Sequence, residues 1–428
     1  MTAEIAILNK SAVVLAADSA VTISVGSNQE KIFDSADKLF ELSCHDPIGI
    51  MVNNNMHFME VPLQIIIKDY RSKCPQFDKV EDAALDFLKY LESFGNQSPD
   101  EVKRRSVVNQ LSPLISVLEQ RASSEFSDYL FDPSKHTAGD DFGKVRSNIV
   151  DDQIKILERI WSWPTESDFL EGAQLQLSDI ENEAIKQTIE NGFSIASAAQ
   201  KLKLVNLVVS NSHRNWPSQP TSGIIVAGFG TSELFPTLKE FQVIGMIGGV
   251  LKFRSGEYVD IDRNGEGARV LPFAQRDMVE RFLYGLDSEI ERKIKAFCQR
   301  TIPKISEHIL SQMDLDNDAL DQLVKEAEAA ERIFHDALQG DGFSAIREDS
   351  KSEIEDMVEF MPKSEMARMA EALVNLTSIK RRVSRGMETV GGPIDVAVIS
   401  KAEGFVWVKR KHYFPPELNA RYFERINK

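Results

Sequence analysis

Residues 1–42 of this chain read MTAEIAILNKSAVVLAADSAVTISVGSNQEKIFDSADKLFEL. Near the start, Ile5 and Ile7 alternate with other residues, and the apolar run Ala12–Ala17 (AVVLAA) follows closely. Such runs are typical of β-strands that are buried on one or both faces. The intervening Asn9-Lys10 is the predicted turn. The chain therefore begins with two neighbouring strands.

A second pair of strands is predicted shortly afterwards. Lys38–Leu42 (KLFEL) and Ile48–Val52 (IGIMV) have strand character, and His45-Asp46-Pro47 between them is a turn signal. Two strand pairs within residues 1–55 predict that the protein starts with a β-sheet.

Beyond residue 55 the period of the apolar residues changes several times. A helical period covers most of residues 56–209, and strands are predicted to return at Gly223–Phe229 and Phe241–Phe253. Residues 258–271 are predicted to form a hairpin around Asn264-Gly265. The remaining predictions are helices at 277–312, 315–338 and 363–383, an exposed polar loop at 340–351, and strands at 394–399 and 404–409.

The elements follow the order strands, helices, strands, helices, strands. Two antiparallel sheets between helical layers need this order, whereas a doubly wound parallel sheet needs strict alternation of strands and helices. The sequence thus predicts an α+β protein with a four-layer αββα sandwich. Its core segments are predicted at 1–99, 212–291 and 353–428, the last with an aromatic tail, and its helical insertions at 100–211 and 292–352.

The composition is that of a soluble globular protein, with 42% hydrophobic and 27% charged residues in a chain of 428. No apolar run is long enough for a transmembrane helix. Glu4 and Lys10 interrupt the first residues, so no signal peptide is predicted. Cys44, Cys74 and Cys298 are too widely spaced for a disulfide framework or a structural zinc site. These features predict a cytoplasmic protein.

The charge and the motifs exclude several classes of function. A formal net charge of -16 disfavours nucleic acid and anionic membranes as partners, because clustered Lys and Arg bind phosphate groups. The sequence contains no G-x-S-x-G, H-E-x-x-H or Walker A motif. Asp260–Gly265 imitates the start of a calcium loop, but Leu271 stands where that loop needs a bidentate Glu. Neither a cofactor nor a metal ion is predicted.

One group of residues still suggests a catalytic function. Thr2 stands directly behind the initiator Met1 and is followed by VVLAADS at Val13–Ser19 and by KLFEL at Lys38–Leu42. These elements resemble the proteasome β-subunit family and its bacterial heat-shock peptidase relatives, which are N-terminal nucleophile hydrolases. Members of that family begin with Thr after processing, then carry a strand that ends in Asp and a strand that starts with Lys.

The spacing of the motifs is similar to that of the family. Counted from Thr2, Asp18 falls at the family's position, whereas Lys38 falls later, which a short insertion in the loop 27–35 explains. Lys31 is a rival for the same role, but the residues after it are not predicted to continue as a strand.

Two further segments resemble the family in the same order. GIIVAGFG at Gly223–Gly230 is similar to its central strand, and GGPIDVAVISK at Gly391–Lys401 is similar to its closing segment. Together the motifs cover under half of the chain. Each of them is weak alone, and four in the right order favour the resemblance.

The chemistry of an N-terminal threonine supports the same interpretation. A Thr hydroxyl is a poor nucleophile until a base takes its proton, and the free α-amine of the same residue can do this directly or through one water. By the resemblance, Thr2 is the nucleophile, Lys38 lowers the pKa of its amine and hydroxyl, and Asp18 holds Lys38 in place. The resemblance also puts the oxyanion-hole N–H at about Asn54.

The sequence departs from the family near the closing segment. Met387 replaces a supporting Asp and Val390 replaces a Ser. Glu388 follows Met387 directly and Thr389 directly precedes Val390, so each is one position away from the residue it would substitute. Pro272–Gln275 contains no serine where the family has one. These departures bear on activity rather than on fold, because the missing groups orient and protonate the amine.

Three hypotheses follow. The protein is a threonine peptidase that forms an acyl-enzyme on Thr2, or it hydrolyses a small-molecule amide with the same nucleophile, or it is a non-catalytic scaffold of the same fold. The resemblance implies a homo-oligomer, and the insertions at 100–211 and 292–352 are candidate surfaces for an unfoldase or another protein partner.

Overall fold

The computed structural model describes residues 3–25, 29–132, 134, 136, 141–163, 166–262, 265–313, 316–383 and 391–426. Over these residues the chain is a mixed α/β protein with antiparallel sheets and many helices. None of the helices described is long and apolar enough to cross a membrane.

The strands are Ala3–Asn9 (β1), Ala12–Ala17 (β2), Val21–Val25 (β3), Gln29–Phe33 (β4), Leu39–Glu41 (β5), Ile48–Asn54 (β6), His57–Phe58 (β7), Val61–Pro62 (β8), Ser222–Gly228 (β9), Thr237–Ile247 (β10), Val250–Asp260 (β11), Ala268–Ala274 (β12), Asp395–Ser400 (β13) and Gly404–Lys409 (β14). The helices are Leu63–Arg71 (α1), Val80–Asn96 (α2), Asp100–Phe131 (α3), Phe142–Trp161 (α4), Asp179–Gly192 (α5), Ala198–Ser210 (α6), Asp277–Tyr284 (α7), Ser288–Ser311 (α8), Asn317–Ala337 (α9), Ala345–Glu359 (α10), Lys363–Val383 (α11) and Ala420–Ile426 (α12).

The chain divides into two compact units. The first comprises Met1–Leu39, Leu234–Pro236 and Asp260–Lys428, and the second comprises Phe40–Glu233 and Thr237–Val259. Each unit contains one five-stranded sheet and the helices that pack on it.

The sheet of the first unit has the strand order β12-β1-β2-β13-β14. Alternate residues of β1, Ile5 and Ile7, share a core with Val279 of α7, Val358 of α10 and Leu373 of α11. Successive side chains of a strand point to opposite faces of the sheet, so this spacing brings one face of β1 against the helices.

The turn between β1 and β2 is anchored by the buried side chain of Asn9. Its Nδ2–H donates to the carbonyl oxygens of Val358 and Met361, both at 3.0 Å, at the end of α10. Its Oδ1 accepts from the backbone N–H of Ser11 at 2.9 Å and of Ala12 at 3.2 Å. The last carbonyls of a helix have no partner inside the helix, so one asparagine satisfies both the turn and the helix end.

The sheet of the second unit has the strand order β11-β10-β9-β6-β5. Its side chains Ile50 and Phe241 form a core with Ile66 of α1 and with Phe87 and Leu91 of α2. The predicted pairing of the segments around residues 38–42 and 48–52 is confirmed, because β5 and β6 are neighbours in this sheet.

Helices α3–α6 pack around a separate core of the second unit. It contains Leu111 of α3, Ile154 of α4, Ile185 of α5 and Leu204 of α6, all fully buried. The same cluster includes Ile247 of β10. The four helices therefore form one packed group that contacts the end of β10.

Residues 258–271 do not form the predicted hairpin. β11 follows β10 through a turn at Gly248 and Gly249, whose φ angles of 57° and 78° favour glycine. β12 pairs instead with β1, with Ala3 opposite Ala274. The prediction was wrong because local strand propensity does not specify which strand will be the partner.

The segment 340–351 is helical and is not the predicted exposed loop. A π-helical turn that contains Phe343 leads directly into α10. The Phe343 ring is 4% exposed and lies 5.8 Å from the Lys295 ammonium, and Arg347 forms an ion pair with Glu291 at 2.6 Å. These contacts to α8 stabilise a helix that the polar composition alone does not predict.

The expectation that no strand follows Lys31 is also wrong. Lys31 lies within β4, which pairs with β3 so that Ile23 is opposite Lys31. The side chain of Lys31 lies outside the described part of the structure. The predicted loop 27–35 is therefore largely one strand of a hairpin.

Lys252 of β11 is fully buried in the second unit. Its ammonium donates to the carbonyl oxygens of Ser212 at 3.1 Å and Arg214 at 2.5 Å, and it lies 4.6 Å from the centre of the Trp216 ring. Burial lowers the pKa of Lys252 to about 7. The Lys252 side chain therefore holds the segment after α6 in place, although burial of its positive charge is unfavourable.

We expect this burial to make stability depend on pH. Between pH 7 and about 10.4, the ordinary lysine pKa, the unfolded chain binds a proton that folded Lys252 has lost, so the free energy of unfolding should rise with pH in this range. The rise is at most about 1.4 kcal/mol per pH unit. Lys252→Met should remove it in urea unfolding measured at pH 7, 8 and 9, whereas Lys186→Met, at an exposed lysine, should retain it. Equal pH profiles for wild type and Lys252→Met would contradict the expectation.

Candidate active site

The carboxylate of Asp18, directly after β2, is buried and accepts three hydrogen bonds. Its Oδ1 accepts from the Lys38 ammonium at 2.6 Å and from the backbone N–H of Ala3 at 3.2 Å. Its Oδ2 accepts from the backbone N–H of Gly391 at 3.0 Å. The side chains of Asp18 and Lys38 are each 1% exposed. One carboxylate thus joins the first described residue, a lysine and the segment before β13.

The β1–β2 hairpin sets the position of Asp18. Its register puts Glu4 opposite Ala17, and the Asp18 N–H donates to the Ala3 carbonyl at 3.1 Å. The Asp18 side chain in turn accepts from the Ala3 N–H, so the two residues bind each other twice. A register slip of one residue would move Asp18 to the opposite face of the sheet, so the short turn at residues 10–11 fixes the site.

The strand β13 brings in the third donor, because it pairs with β2 in the same sheet. Two carbonyls of the segment that precedes β13 accept hydrogen bonds from Ser19. The Ser19 N–H donates to the Gly391 carbonyl at 3.2 Å, and the Ser19 hydroxyl donates to the Pro393 carbonyl at 2.5 Å. These bonds hold the Gly391 N–H beside Asp18. Residues from opposite ends of the sequence therefore meet at one carboxylate.

Lys38 stands just before β5 and reaches Asp18 after the chain has passed through β3 and β4. The Ala36 N–H donates to the Ser19 carbonyl at 3.0 Å, which closes this excursion and returns the chain to Asp18. The β3–β4 hairpin therefore accounts for the sequence separation between Asp18 and Lys38.

A buried ion pair of this kind is energetically demanding. Removing a carboxylate and an ammonium from water costs on the order of several kcal/mol per ion, and their attraction offsets this only with good geometry and additional hydrogen bonds. The N–H groups of Ala3 and Gly391 supply those bonds to Asp18. A buried ion pair that costs this much is a candidate for a functional role.

The position of Asp18 is relevant to residue 2 because residue 2 is covalently bonded to Ala3, whose N–H binds Asp18. The N–H that donates to Asp18 belongs to the peptide bond between residues 2 and 3, so the carboxylate lies one residue from the predicted nucleophile. Thr2, Met387 and Val390 lie outside the described residues. The structure brings Asp18 and Lys38 together, and the catalytic role of Thr2 stays a prediction.

Asn54, the predicted oxyanion-hole position, is the last residue of β6 in the second unit. Its φ of 61° is in the left-handed region, which Asn adopts more readily than most other residues. Met59 and Glu60 also have positive φ angles, 47° and 65°. Left-handed backbone at non-glycine residues marks a segment that its surroundings constrain.

Near Ala3, Gln275 and Arg381 form a contact that the sequence did not predict. Ala274, opposite Ala3, has a φ of 62°, and the next residue, Gln275, is 7% exposed. The Arg381 Nε–H of α11 donates to the Gln275 Oε1. No sequence signal links these positions, because only the packing of α11 on the sheet brings Arg381 to Gln275.

Glu4, on β1, is a second buried carboxyl group in addition to Asp18. It is 1% exposed and lies between Ala17 and Phe273 in the register of the sheet. The signal was available in the sequence, since an acidic residue within an otherwise apolar strand is costly to bury.

Binding sites for a cofactor or metal are not evident around these residues. In the described part of the chain, no group of three or more His, Cys, Asp or Glu side chains is arranged to hold a metal ion. The second unit has a cavity of about 490 Å³ whose lining includes Asp100, Lys103 and Asp179. Its mixture of charges does not select one class of ligand.

No protein-family model matches this chain, and no curated protein matches it. Among solved structures, it is similar to the Anbu (Gly-1) mutant from Hyphomicrobium sp. strain MC1, at 10% sequence identity and a TM-score of 0.26. The alignment covers 100% of this chain and 95% of that chain. A TM-score this low does not establish a common fold.

We expect the Asp18–Lys38 pair to be strongly coupled. Asp18→Asn and Lys38→Met should each lower the free energy of unfolding by about 3–5 kcal/mol, because each leaves a buried charge without its partner. The double variant should lose clearly less than the sum of the two, as measured by urea unfolding. Arg368→Ala, at an exposed ion pair with Glu365, should cost at most about 1 kcal/mol. Additive losses at Asp18 and Lys38 would contradict the coupling.

The left-handed backbone at Asn54 leads to a separate expectation. Asn54→Gly should leave the melting temperature nearly unchanged, because glycine adopts a φ of 61° freely. Asn54→Val should lower the free energy of unfolding by about 1–3 kcal/mol, since a β-branched side chain is strained in this region. A control at Asn96, in a helix with ordinary backbone, should show no such difference between Gly and Val. Equal stability of Asn54→Gly and Asn54→Val would show that the conformation is not constrained.

Proposed function

We propose that this protein is a proteasome-like threonine hydrolase that cleaves amide bonds with Thr2 after Met1 has been removed. The observation that carries the proposal is the Asp18 carboxylate, which binds both the N–H of Ala3 and the ammonium of Lys38. A nucleophile at residue 2 would have a buried cation and its counter-ion adjacent to it. The same residues are those that the sequence motifs assign by resemblance.

In the proposed mechanism, the Thr2 hydroxyl gives its proton to the α-amine of the same residue. A free α-amine has a pKa of about 7.7–8.0, which suits a general base near neutral pH. The hydroxyl oxygen attacks the amide carbonyl carbon, the C–N bond breaks, and the departing amine takes up the proton. Water then hydrolyses the ester on Thr2 and restores the free hydroxyl.

Lys38 and Asp18 have distinct roles in this mechanism. The Lys38 ammonium stabilises the negative charge that develops on the Thr2 oxygen and favours the neutral, basic form of the amine. Asp18 positions Lys38 and also binds the N–H of Ala3. Because one carboxylate holds both the Lys38 ammonium and the Ala3 N–H, less conformational freedom is lost on reaching the transition state.

The backbone N–H of Asn54 is the proposed oxyanion donor. Because the group is in the main chain, the identity of the side chain matters only through the backbone conformation that it permits. The φ of 61° at Asn54 supports this proposal, since the resemblance assigns the position to a glycine.

We further propose a four-layer αββα sandwich and a homo-oligomeric assembly. In support, each unit consists of an antiparallel sheet with helices packed on it. The helical segments 100–211 and 292–352 are the proposed insertions into this fold. They offer surfaces for neighbouring copies or for a protein partner such as an unfoldase.

The first test is an intact mass of the purified protein before and after treatment with an electrophile that acylates catalytic threonines. We expect loss of Met1 and a single adduct, because the α-amine of Thr2 is the base that activates its hydroxyl. Thr2→Ala should lose the adduct completely, and Thr2→Ser, which keeps a hydroxyl and the amine, should retain it.

Retention of Met1 without an adduct would overturn the hydrolase and leave the non-catalytic scaffold. With the nucleophile established, a peptide library and a set of small acyl amides separate the two enzyme hypotheses. Turnover of peptides supports the proposed peptidase, and turnover confined to small acyl amides supports the alternative amidase. Thr2→Ala should abolish either activity.

A further inference from the structure

Two cysteine thiols of the second unit share one backbone oxygen. The Cys44 Sγ–H donates to the Arg71 carbonyl at 3.6 Å, and the Cys74 Sγ–H donates to the same carbonyl at 3.5 Å. The two sulfur atoms are therefore no farther apart than the sum of these two distances. A disulfide between them requires rotation of the two side chains about χ1 to bring the sulfurs within bonding distance.

Arg71, at the end of α1, organises the surroundings of Cys44. Its Nε–H donates to the Cys44 sulfur at 3.3 Å, and its guanidinium forms an ion pair with Glu41 at 2.5 Å. The side chain of one arginine thus directs Cys44, while the backbone carbonyl of the same residue binds both thiols. Both thiols are therefore held at the same carbonyl, while Cys44 stays exposed.

The two chain segments that carry the cysteines are fastened together on both sides of them. The Glu41–Arg71 ion pair lies on one side. On the other side, the Asp46 carboxylate accepts from the Phe77 N–H at 2.8 Å. These two contacts hold the segments close to each other and limit the backbone movement that a disulfide between them requires.

The two thiols differ in their access to solvent. Cys44 is exposed, whereas Cys74 is 5% exposed. A dissolved oxidant therefore reaches Cys44 more easily than Cys74. An accessible cysteine next to a second, protected cysteine is the arrangement of a thiol that is oxidised and then resolved within the protein.

We propose that Cys44 and Cys74 form a site of reversible oxidative modification, in which a peroxide oxidises Cys44 and Cys74 closes a disulfide. The Cys44 thiolate attacks one oxygen of hydrogen peroxide, the O–O bond breaks, and Cys44 becomes a sulfenic acid while hydroxide leaves. The Cys74 sulfur then attacks the Cys44 sulfur, the S–O bond breaks, and water leaves. In sum, two thiols and one peroxide give one disulfide and two waters.

The disulfide would fix the turn between β5 and β6 to the end of α1. β5 begins directly after Lys38, so oxidation would restrain the chain that follows the buried ion pair. A bond that closes a loop of this length stabilises the folded state mainly by restricting the unfolded chain. A reductant should reverse the effect, since an exposed disulfide is readily attacked by a thiolate. The inference does not depend on the proposed hydrolase activity.

The test uses the full-length protein, first reduced and freed of reductant, then treated with hydrogen peroxide. Intact mass should show the loss of two hydrogen atoms, and peptide mapping without reduction should show a peptide linked through Cys44 and Cys74. The melting temperature should rise on oxidation and return after reduction. Cys298→Ser, at the remaining cysteine, should behave like the wild type.

Two variants separate the steps. Cys74→Ser should stop at the sulfenic acid, so a 1,3-diketone that traps sulfenic acids should label Cys44 in this variant and not in the wild type. Cys44→Ser should neither form the disulfide nor take up the label. Equal labelling of Cys44 in wild type and Cys74→Ser, a disulfide between two molecules, or oxidation confined to Cys298 would each overturn the proposal.

Discussion

A carboxylate that is removed from water must find its partners inside the protein, and Asp18 is the residue on which this constraint acts most strongly. Its three donors come from Ala3, Lys38 and Gly391, which belong to separate parts of the chain. They meet only when β1, β2 and β13 have paired and the β3–β4 excursion has closed. The candidate site and the sheet of the first unit therefore depend on the same hydrogen bonds.

The same requirement shapes other places in both units. Asn9 satisfies the β1–β2 turn and the carbonyls at the end of α10 with one side chain. Lys252, which is fully buried in the second unit, donates to two carbonyl oxygens after α6. In each case, one polar side chain joins segments that are distant in sequence. Such contacts specify the fold, because a buried polar group without a partner is costly in every alternative arrangement.

The sequence predicted most of the elements, and it predicted them best where the apolar period was long and unbroken. The strand at 404–409 and the helix at 363–383 lie where they were expected. Prediction failed where a remote partner decided the outcome: β12 pairs with β1, and contacts to α8 keep 340–351 helical. At the candidate site, the motif spacing selected Asp18 and Lys38, and the structure brings these two residues together. The contact between Gln275 and Arg381 left no local pattern, because it depends on how α11 packs.

The sequence by itself determined that the chain starts with a sheet, that Asp18 lies at the end of the second strand segment and that Lys38 lies at the start of a later one, and in the structure the two residues directly flank β2 and β5. Periodicity and turn residues act between near neighbours, so these features are encoded locally. Only the tertiary structure decided that the carboxylate and the ammonium would be buried together and joined by the N–H groups of Ala3 and Gly391. Strand pairing and burial depend on residues hundreds of positions apart, and no local pattern carries that information.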